Sequence, residues 1–295
     1  MSEDLAGLHA APFRISWPGD QTAPFVFASP HSGRVYPPEF VAQSPLGALS
    51  LRRSEDAFVD GLFSASVGFG APLIAARFPR AYCDVNRSPA ELDAAMFEGR
   101  LAGAIDTTSP RVNAGLGVIP RIVRDGAEIY RVKLAAREAE DRLARLYRPY
   151  HAALTKLMDM TVARFGVAVL IDCHSMPSAA VVPDVVLGDR YGMAASPALM
   201  RHAERVFEAR GFSCARNAPY AGGYTTHIHG KPARGIHALQ VEINRALYLD
   251  EERIEPGPRY ENLRARLSDA IGALMAVNRA LLVPPGAREM GLAAE

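Results

Sequence analysis

The chain is predicted to adopt an α/β fold of three layers, a mixed but mostly parallel sheet flanked by helices. Two observations carry this prediction. Short apolar runs alternate along the 295 residues with longer stretches of helical periodicity, the pattern of strands joined by crossover helices. The two best-defined runs also end in polar turns, each carrying a histidine, as buried strands do where they reach the edge of a sheet. Strand-like runs fall at residues 25–29, 72–76, 81–85, 168–173, 185–187 and 236–243, and helical stretches at 55–67, 129–165, 197–210 and 259–281. Pro and Gly are dispersed rather than gathered in a linker, and no repeat interrupts the pattern, so one domain spanning 1–295 is expected.

The first strand, Phe25-Val26-Phe27-Ala28-Ser29, runs into Pro30-His31-Ser32-Gly33, and Val167-Ala168-Val169-Leu170-Ile171-Asp172-Cys173-His174-Ser175 repeats the arrangement. Both histidines are therefore expected at carboxyl ends of buried strands, where open α/β sheets place their ligands. In the segment that follows the first strand, Phe58, Leu62 and Phe63 suggest a helix packed by one side, with Glu55, Asp56 and Asp60 near its start. Carboxylates there favour the helix dipole, so they read either as capping groups or, for one of them, as a metal ligand. The segment 78–89 sets Arg80, Asn86 and Arg87 around a short strand. It reads equally as an anion clamp, for which arginine's rigid fork is suited, or as a structural Asp84–Arg87 network.

Between residues 105 and 128 periodicity collapses into a run rich in Thr, Ser, Gly and Pro, a connection long enough to cover a site or simply to fill space. Leu143, Leu146, Tyr150, Leu154, Leu157 and Thr161 then form an amphipathic stripe for packing on the sheet. Pro149, inside that stripe, should kink or interrupt the helix. Residues 220–230 form a glycine-broken loop whose His227 and His229 read either as substrate contacts or as incidental surface groups. In the last strand, alternation puts Gln240, Glu242 and Asn244 on one face and Leu239, Val241 and Ile243 on the other.

Hydrophobic residues make up 49% and charged residues 22%, an ordinary globular composition. The net charge of +1 is scattered, so nothing marks a nucleic-acid or anionic-lipid partner. No apolar stretch approaches a bilayer span, and Met1-Ser2-Glu3-Asp4 lacks the layout of a signal peptide, so a cytoplasmic protein is expected. Cys83, Cys173 and Cys214 are too few and too widely spaced for a disulfide framework or a thiolate metal site. Any metal is held by nitrogen and oxygen. His31, Asp56 and His174 supply the three-ligand set that zinc hydrolases use, and Glu242 supplies a carboxylate to work on the water.

Together these segments resemble the N-formylglutamate amidohydrolase family. The likeness runs from about Ala28 to Glu251 and is carried by Ser29-Pro30-His31-Ser32-Gly33, the acid pair Asp56 and Asp60, Asp84-Val85-Asn86-Arg87, Asp172-Cys173-His174-Ser175, Gly222-Gly223-Tyr224 and Gln240-Val241-Glu242-Ile243. The resemblance implies a phosphorylase/hydrolase-like fold of the zinc carboxypeptidase type and a zinc-dependent hydrolase that releases formate from N-formyl-L-glutamate. It implies His31, Asp56 and His174 as Zn2+ ligands, with Glu55 the alternative to Asp56, and Glu242 as general base. It further implies Arg80 facing the oxyanion, Asn86 and Arg87 on the substrate α-carboxylate, and Asp172 orienting His174. It also implies a distant similarity to zinc carboxypeptidases and aspartoacylase, whose first ligand pair is usually His-x-x-Glu, whereas Arg34 stands three residues after His31 here. The rival reading is another N-acyl amino acid deacylase or a zinc carboxypeptidase, with the same metal and carboxylate clamp and a different acyl pocket. A serine hydrolase is disfavoured because neither Ser32 nor Ser175 lies in a Gly-x-Ser-x-Gly elbow. A carboxylate-binding protein on the same fold would have no need of Glu242. The expected partner is a small N-acyl amino acid, and the sequence says nothing of oligomeric state.

Overall fold

Five of the six expected runs become strands of one seven-stranded sheet in a computed structural model that describes residues 4–123, 126–178 and 183–284. In chain order the strands are β1 (Phe13–Ser16), β2 (Phe25–Ser29), β3 (Leu73–Ala76), β4 (Phe97–Glu98), β5 (Leu134–Ala135), β6 (Ala168–Met176), β7 (Val185–Gly188), β8 (Cys214–Arg216), β9 (Ile236–Asn244), β10 (Leu249–Asp250) and β11 (Glu255–Pro256). The helices are α1 (Leu5–Ala10), α2 (Pro38–Gln43), α3 (Ala48–Arg52), α4 (Val59–Leu62), α5 (Pro110–Asn113), α6 (Ala136–Arg142), α7 (Arg148–Phe165), α8 (Pro197–Glu208), α9 (Tyr224–His229) and α10 (Tyr260–Met275). The main sheet is ordered β1-β3-β2-β6-β9-β7-β8, while β4 pairs with β5 and β10 with β11 in ladders of their own. The pairs β2–β3, β2–β6, β6–β9 and β7–β8 run parallel; β1–β3 and β7–β9 run antiparallel. The sheet is therefore mixed and mostly parallel, as expected.

Alternation along the central strands builds a core on each face. Val26, Ala28, Ala168, Leu170 and Ala238 pack under α6 and α7 with Leu146, Tyr150, Leu154 and Leu157. Phe25, Phe27, Val169, Ile171, Cys173, Leu239, Val241 and Ile243 point the other way, towards α8 and α10. On the α7 face the stripe Ala168, Leu170 turns polar at Asp172 and His174, and the stripe Ala238 turns polar at Gln240 and Glu242, so the core ends where a site begins.

Pro149 is accommodated without a break in the helical path. A π-helical turn, Leu143–Tyr147, joins α6 to α7 immediately before it. The wider turn relieves the crowding that the proline ring imposes on the preceding carbonyls. The expected helix over 129–165 begins only at Ala136. The one over 55–67 reduces to α4 and the 3-10 turn Ser64–Ser66, because Phe58 adopts a left-handed conformation, φ 63°, and uncouples Asp56 from the helix. The expected strand at 81–85 is a pair of turns instead: Tyr82 and Cys83 both donate backbone N–H to the Pro79 carbonyl, and Asp84 donates to that of Val118. No helix among the described residues is long and apolar enough to cross a membrane. Residues 1–3, which held most of the expected leader-free start, and residues 124–125 of the 105–128 segment lie outside the description.

Gly33 lets the turn after β2 lie against the turn after β3. A Cβ there would stand 2.0 Å from the Phe78 carbonyl oxygen, a clash with backbone that no rotamer relieves. Gly33→Ala should therefore destabilise the protein by about 1–3 kcal/mol, the usual cost of overpacking, and chemical denaturation of both proteins measures it.

Candidate active site

The chain leaves β2 for one side of the sheet, towards β3, and continues from β6 to the other, so the strand order reverses between β2 and β6. Crevices open at such switch points, outside the carboxyl ends of the strands. His31 follows β2 by two residues and His174 lies near the end of β6. Asp56 is brought to them by the turn before α4, whose position is fixed from both sides. Its backbone N–H donates to the His31 carbonyl at 3.0 Å, and Tyr248 Oη donates to the Ala57 carbonyl at 2.9 Å.

The result is a buried group of three ligand atoms all within 4.8 Å of one another. Asp56 Oδ2 stands 3.3 Å from His31 Nδ1 and 2.9 Å from His174 Nδ1. Each ring turns its other nitrogen to a carboxylate: His31 Nε2 to Asp84 Oδ1 at 2.7 Å, and His174 Nε2 to Asp172 Oδ2 at 3.0 Å. A histidine that donates Nε2–H to a carboxylate presents the Nδ1 lone pair on its opposite side, the outer-sphere arrangement that orients metal-ligating imidazoles. Two imidazole nitrogens and a carboxylate oxygen thus converge on one point. One divalent cation fits that point, and a nitrogen and oxygen set of three matches the ligand count of a catalytic zinc.

Burial alone would raise Asp56, but hydrogen bonds from His174 and His31 hold its carboxyl well below the usual range. Burial would lower His174, yet the Asp172 and Asp56 carboxylates hold it well above the ordinary imidazole value. The other oxygen of Asp56 accepts from Arg245 Nη2 at 2.9 Å, and Arg245 also donates to Ser175 Oγ at 3.1 Å and to the Glu55 carbonyl. Glu55, the alternative ligand, points elsewhere: its carboxylate accepts from Tyr36 Oη at 2.8 Å and from Arg52 Nε at 3.0 Å.

Glu242 lies beside His174 in register across the parallel β6–β9 pair and faces the same cleft. Burial pushes its carboxyl up to about 7. Gln240 Nε2 donates to Oε1 at 2.9 Å while Gln240 Oε1 accepts from the Gly223 backbone at 2.9 Å. Asn86 is wedged between β6 and α9: Nδ2 lies 3.1 Å from His174 Nε2, and Oδ1 accepts from the Thr225 backbone at 2.8 Å. Gly223 makes that possible, since a Cβ there would stand 2.3 Å from Asn86 Oδ1. Arg80 donates Nε to Asp84 at 2.8 Å. Arg87 donates Nε to the Leu116 carbonyl at 3.0 Å and Nη1 to the Asn86 carbonyl at 2.9 Å. All of them border a cleft of about 550 Å³, and Arg111, Leu116, Pro120 and Ile122 of the 105–128 segment form part of its wall.

The sequence profile of the N-formylglutamate amidohydrolase family matches residues 23–249. The chain belongs to this family. An N-formylglutamate deformylase of Pseudomonas aeruginosa is 30% identical over 239 residues, 78% of this chain and 83% of that protein, and one of Pseudomonas putida is 29% identical over 205 residues, 66% and 71% of the two chains. The crystal structure of N-formylglutamate amidohydrolase from Ralstonia eutropha JMP134 superposes with a TM-score of 0.85 at 35% identity, covering 90% of this chain and 97% of that one. The chain is thus an amidohydrolase.

Within this amidohydrolase the structure gathers His31, Asp56, Arg80, Asn86, Arg87, His174 and Glu242 around one cleft. It leaves out His227, which is exposed on α9, and His229, which is buried beside the His151 ring rather than exposed on a loop. Sequence reasoning missed Asp84 as the partner of His31 and Arg245 as the partner of Asp56. The signal for Asp84 was its place two residues before Asn86; for Arg245 it was only a charged residue directly after a buried strand. Arg245→Ala would leave the Asp56 carboxylate and the Glu55 carbonyl without their buried donor, so a loss of about 3–5 kcal/mol is expected, read from urea or guanidinium unfolding midpoints.

Proposed function

We propose that this chain is a zinc-dependent deformylase, one catalytic domain that hydrolyses the amide of N-formyl-L-glutamate to formate and L-glutamate. The observation that carries the reading is the convergence of His31 Nδ1, Asp56 Oδ2 and His174 Nδ1 beside a buried glutamate of raised pKa. The names of the relatives supply the substrate. Zinc held by these three side chains supplies Lewis-acid polarisation of the formyl carbonyl and a more acidic water.

The protein's own groups account for the remaining steps. Glu242 accepts a proton from the attacking water as the new carbon–oxygen bond forms, then delivers it to the amide nitrogen as the carbon–nitrogen bond breaks. A buried carboxylate raised from its ordinary value is suited to take up a proton and give it back. Gln240 holds that carboxylate in place through Oε1. Arg80 faces the carbonyl oxygen that gains negative charge, its guanidinium oriented by Asp84. Arg87, with Asn86 beside it, takes the substrate α-carboxylate. Asp84 and Asp172 keep the two imidazoles turned with Nδ1 inward.

Metal analysis and formate release, measured on the same preparations, test the reading. The wild-type protein should carry about one zinc per chain and release formate from N-formyl-L-glutamate. His174→Ala should lose both metal and turnover. Glu242→Gln should keep the metal while turnover falls about 10²–10⁴-fold. Stoichiometric zinc with normal turnover in His174→Ala would remove the ligand set, and near-native turnover in Glu242→Gln would remove the base.

A further inference from the structure

Arg80, Arg87 and Arg111 border the same cleft, but their internal engagements differ. Arg80 is committed to Asp84 and Arg87 to two backbone carbonyls. Arg111 only approaches Glu91 Oε1, at 4.0 Å, and that oxygen already accepts from Ser109 Oγ at 2.6 Å. The other Glu91 oxygen accepts the Ser88 backbone N–H at 2.8 Å. The Arg111 side chain is 46% exposed and lines the cleft, with Glu91 at 4.0 Å as a long ion-pair partner. Its charge is also close to that of Arg87: burial first, and then the neighbouring charges of Arg80 and Arg111, push Arg87 down to about 10 against the pull of Asp84. An anion shared by Arg87 and Arg111 relieves that repulsion.

The two guanidinium-bearing segments are tied at Leu116. Leu116 accepts from Arg87 Nε with its carbonyl, at 3.0 Å, and donates its N–H to the Arg111 carbonyl, at 2.7 Å. Arg111 is thereby carried at a fixed place relative to Arg87, on a segment closed by further backbone bonds from Gly115 to Val112 and from Arg121 to Gly115. Two cations held at a set spacing suit a ligand with two carboxylates.

We propose that Arg111 binds the side-chain carboxylate of the substrate and so makes the enzyme select N-acyl derivatives of acidic amino acids over neutral ones. This rests on the amidohydrolase reading of the cleft, with the α-carboxylate at Arg87. Removing the contact should cost about 10- to 100-fold, the scale of one hydrogen bond to a charged group.

The test compares N-formyl-L-glutamate with N-formyl-L-glutamine, which has the same shape but no side-chain charge. Wild-type protein should favour the glutamate compound in kcat/KM by about 10- to 100-fold. Arg111→Gln should bring that ratio close to one, mainly through the KM for glutamate, and Arg111→Lys should recover part of it. An unchanged ratio in Arg111→Gln, or equal losses on both compounds, overturns the proposal. Calorimetric binding of both compounds separates this outcome from failure of the catalytic reading. If the wild-type protein hydrolyses neither, the deformylase reading fails, while a binding preference for glutamate that Arg111→Gln abolishes retains the role of Arg111. Equal binding of the two compounds, or none, removes it.

Discussion

The carboxylate of Asp56 is the constraint on which the site depends. It meets two imidazoles with one oxygen and Arg245 with the other, all with the side chains almost wholly out of water. A buried negative charge of this kind persists only when its surroundings supply compensating positive charge or donors. The elements that supply them come from far apart in sequence: the turn after β2, the end of β6, and the residue directly after β9. Their convergence rests on the long, almost wholly buried central pair, β6 and β9, whose register sets His174 against Glu242.

Around that carboxylate the polar groups form two short chains rather than a diffuse network. One runs from Arg80 through Asp84 to His31; the other runs from Asp172 to His174, with Asn86 beside it. Each chain ends in an imidazole whose Nδ1 faces Asp56. Displacing Asp84 or Asp172 therefore disturbs the orientation of a ring without removing a reacting group, so part of the geometry of the site is held by carboxylates behind the imidazoles.

Much of this was legible because it followed strand periodicity. The apolar runs at 25–29, 168–173 and 236–243 could be recognised locally, and alternation put His174 and Glu242 on polar continuations of buried stripes. What escaped was fixed by contacts across long stretches of chain. Asp56 is placed by bonds to His31 and from Arg245, so its segment looked like an ordinary helix start, and nothing local reveals the left-handed Phe58 that cuts the helix short. Residues 81–85 have strand-like composition because they pack in the core, yet Pro79 turns the backbone and Asp84 bonds to Val118 instead of to a sheet neighbour. The short edge strands β1 and β8 have too few residues and too mixed a burial to show alternation. Arg245 stands outside any periodic pattern.

The stitching of the 105–128 segment has a thermodynamic consequence for the encounter with substrate. A wall held by Arg87, Leu116 and a run of backbone hydrogen bonds has already lost its conformational freedom when the chain folds. A small flexible ligand arriving there gives up its own rotations but orders little of the protein, so more of its contact energy is expressed as affinity.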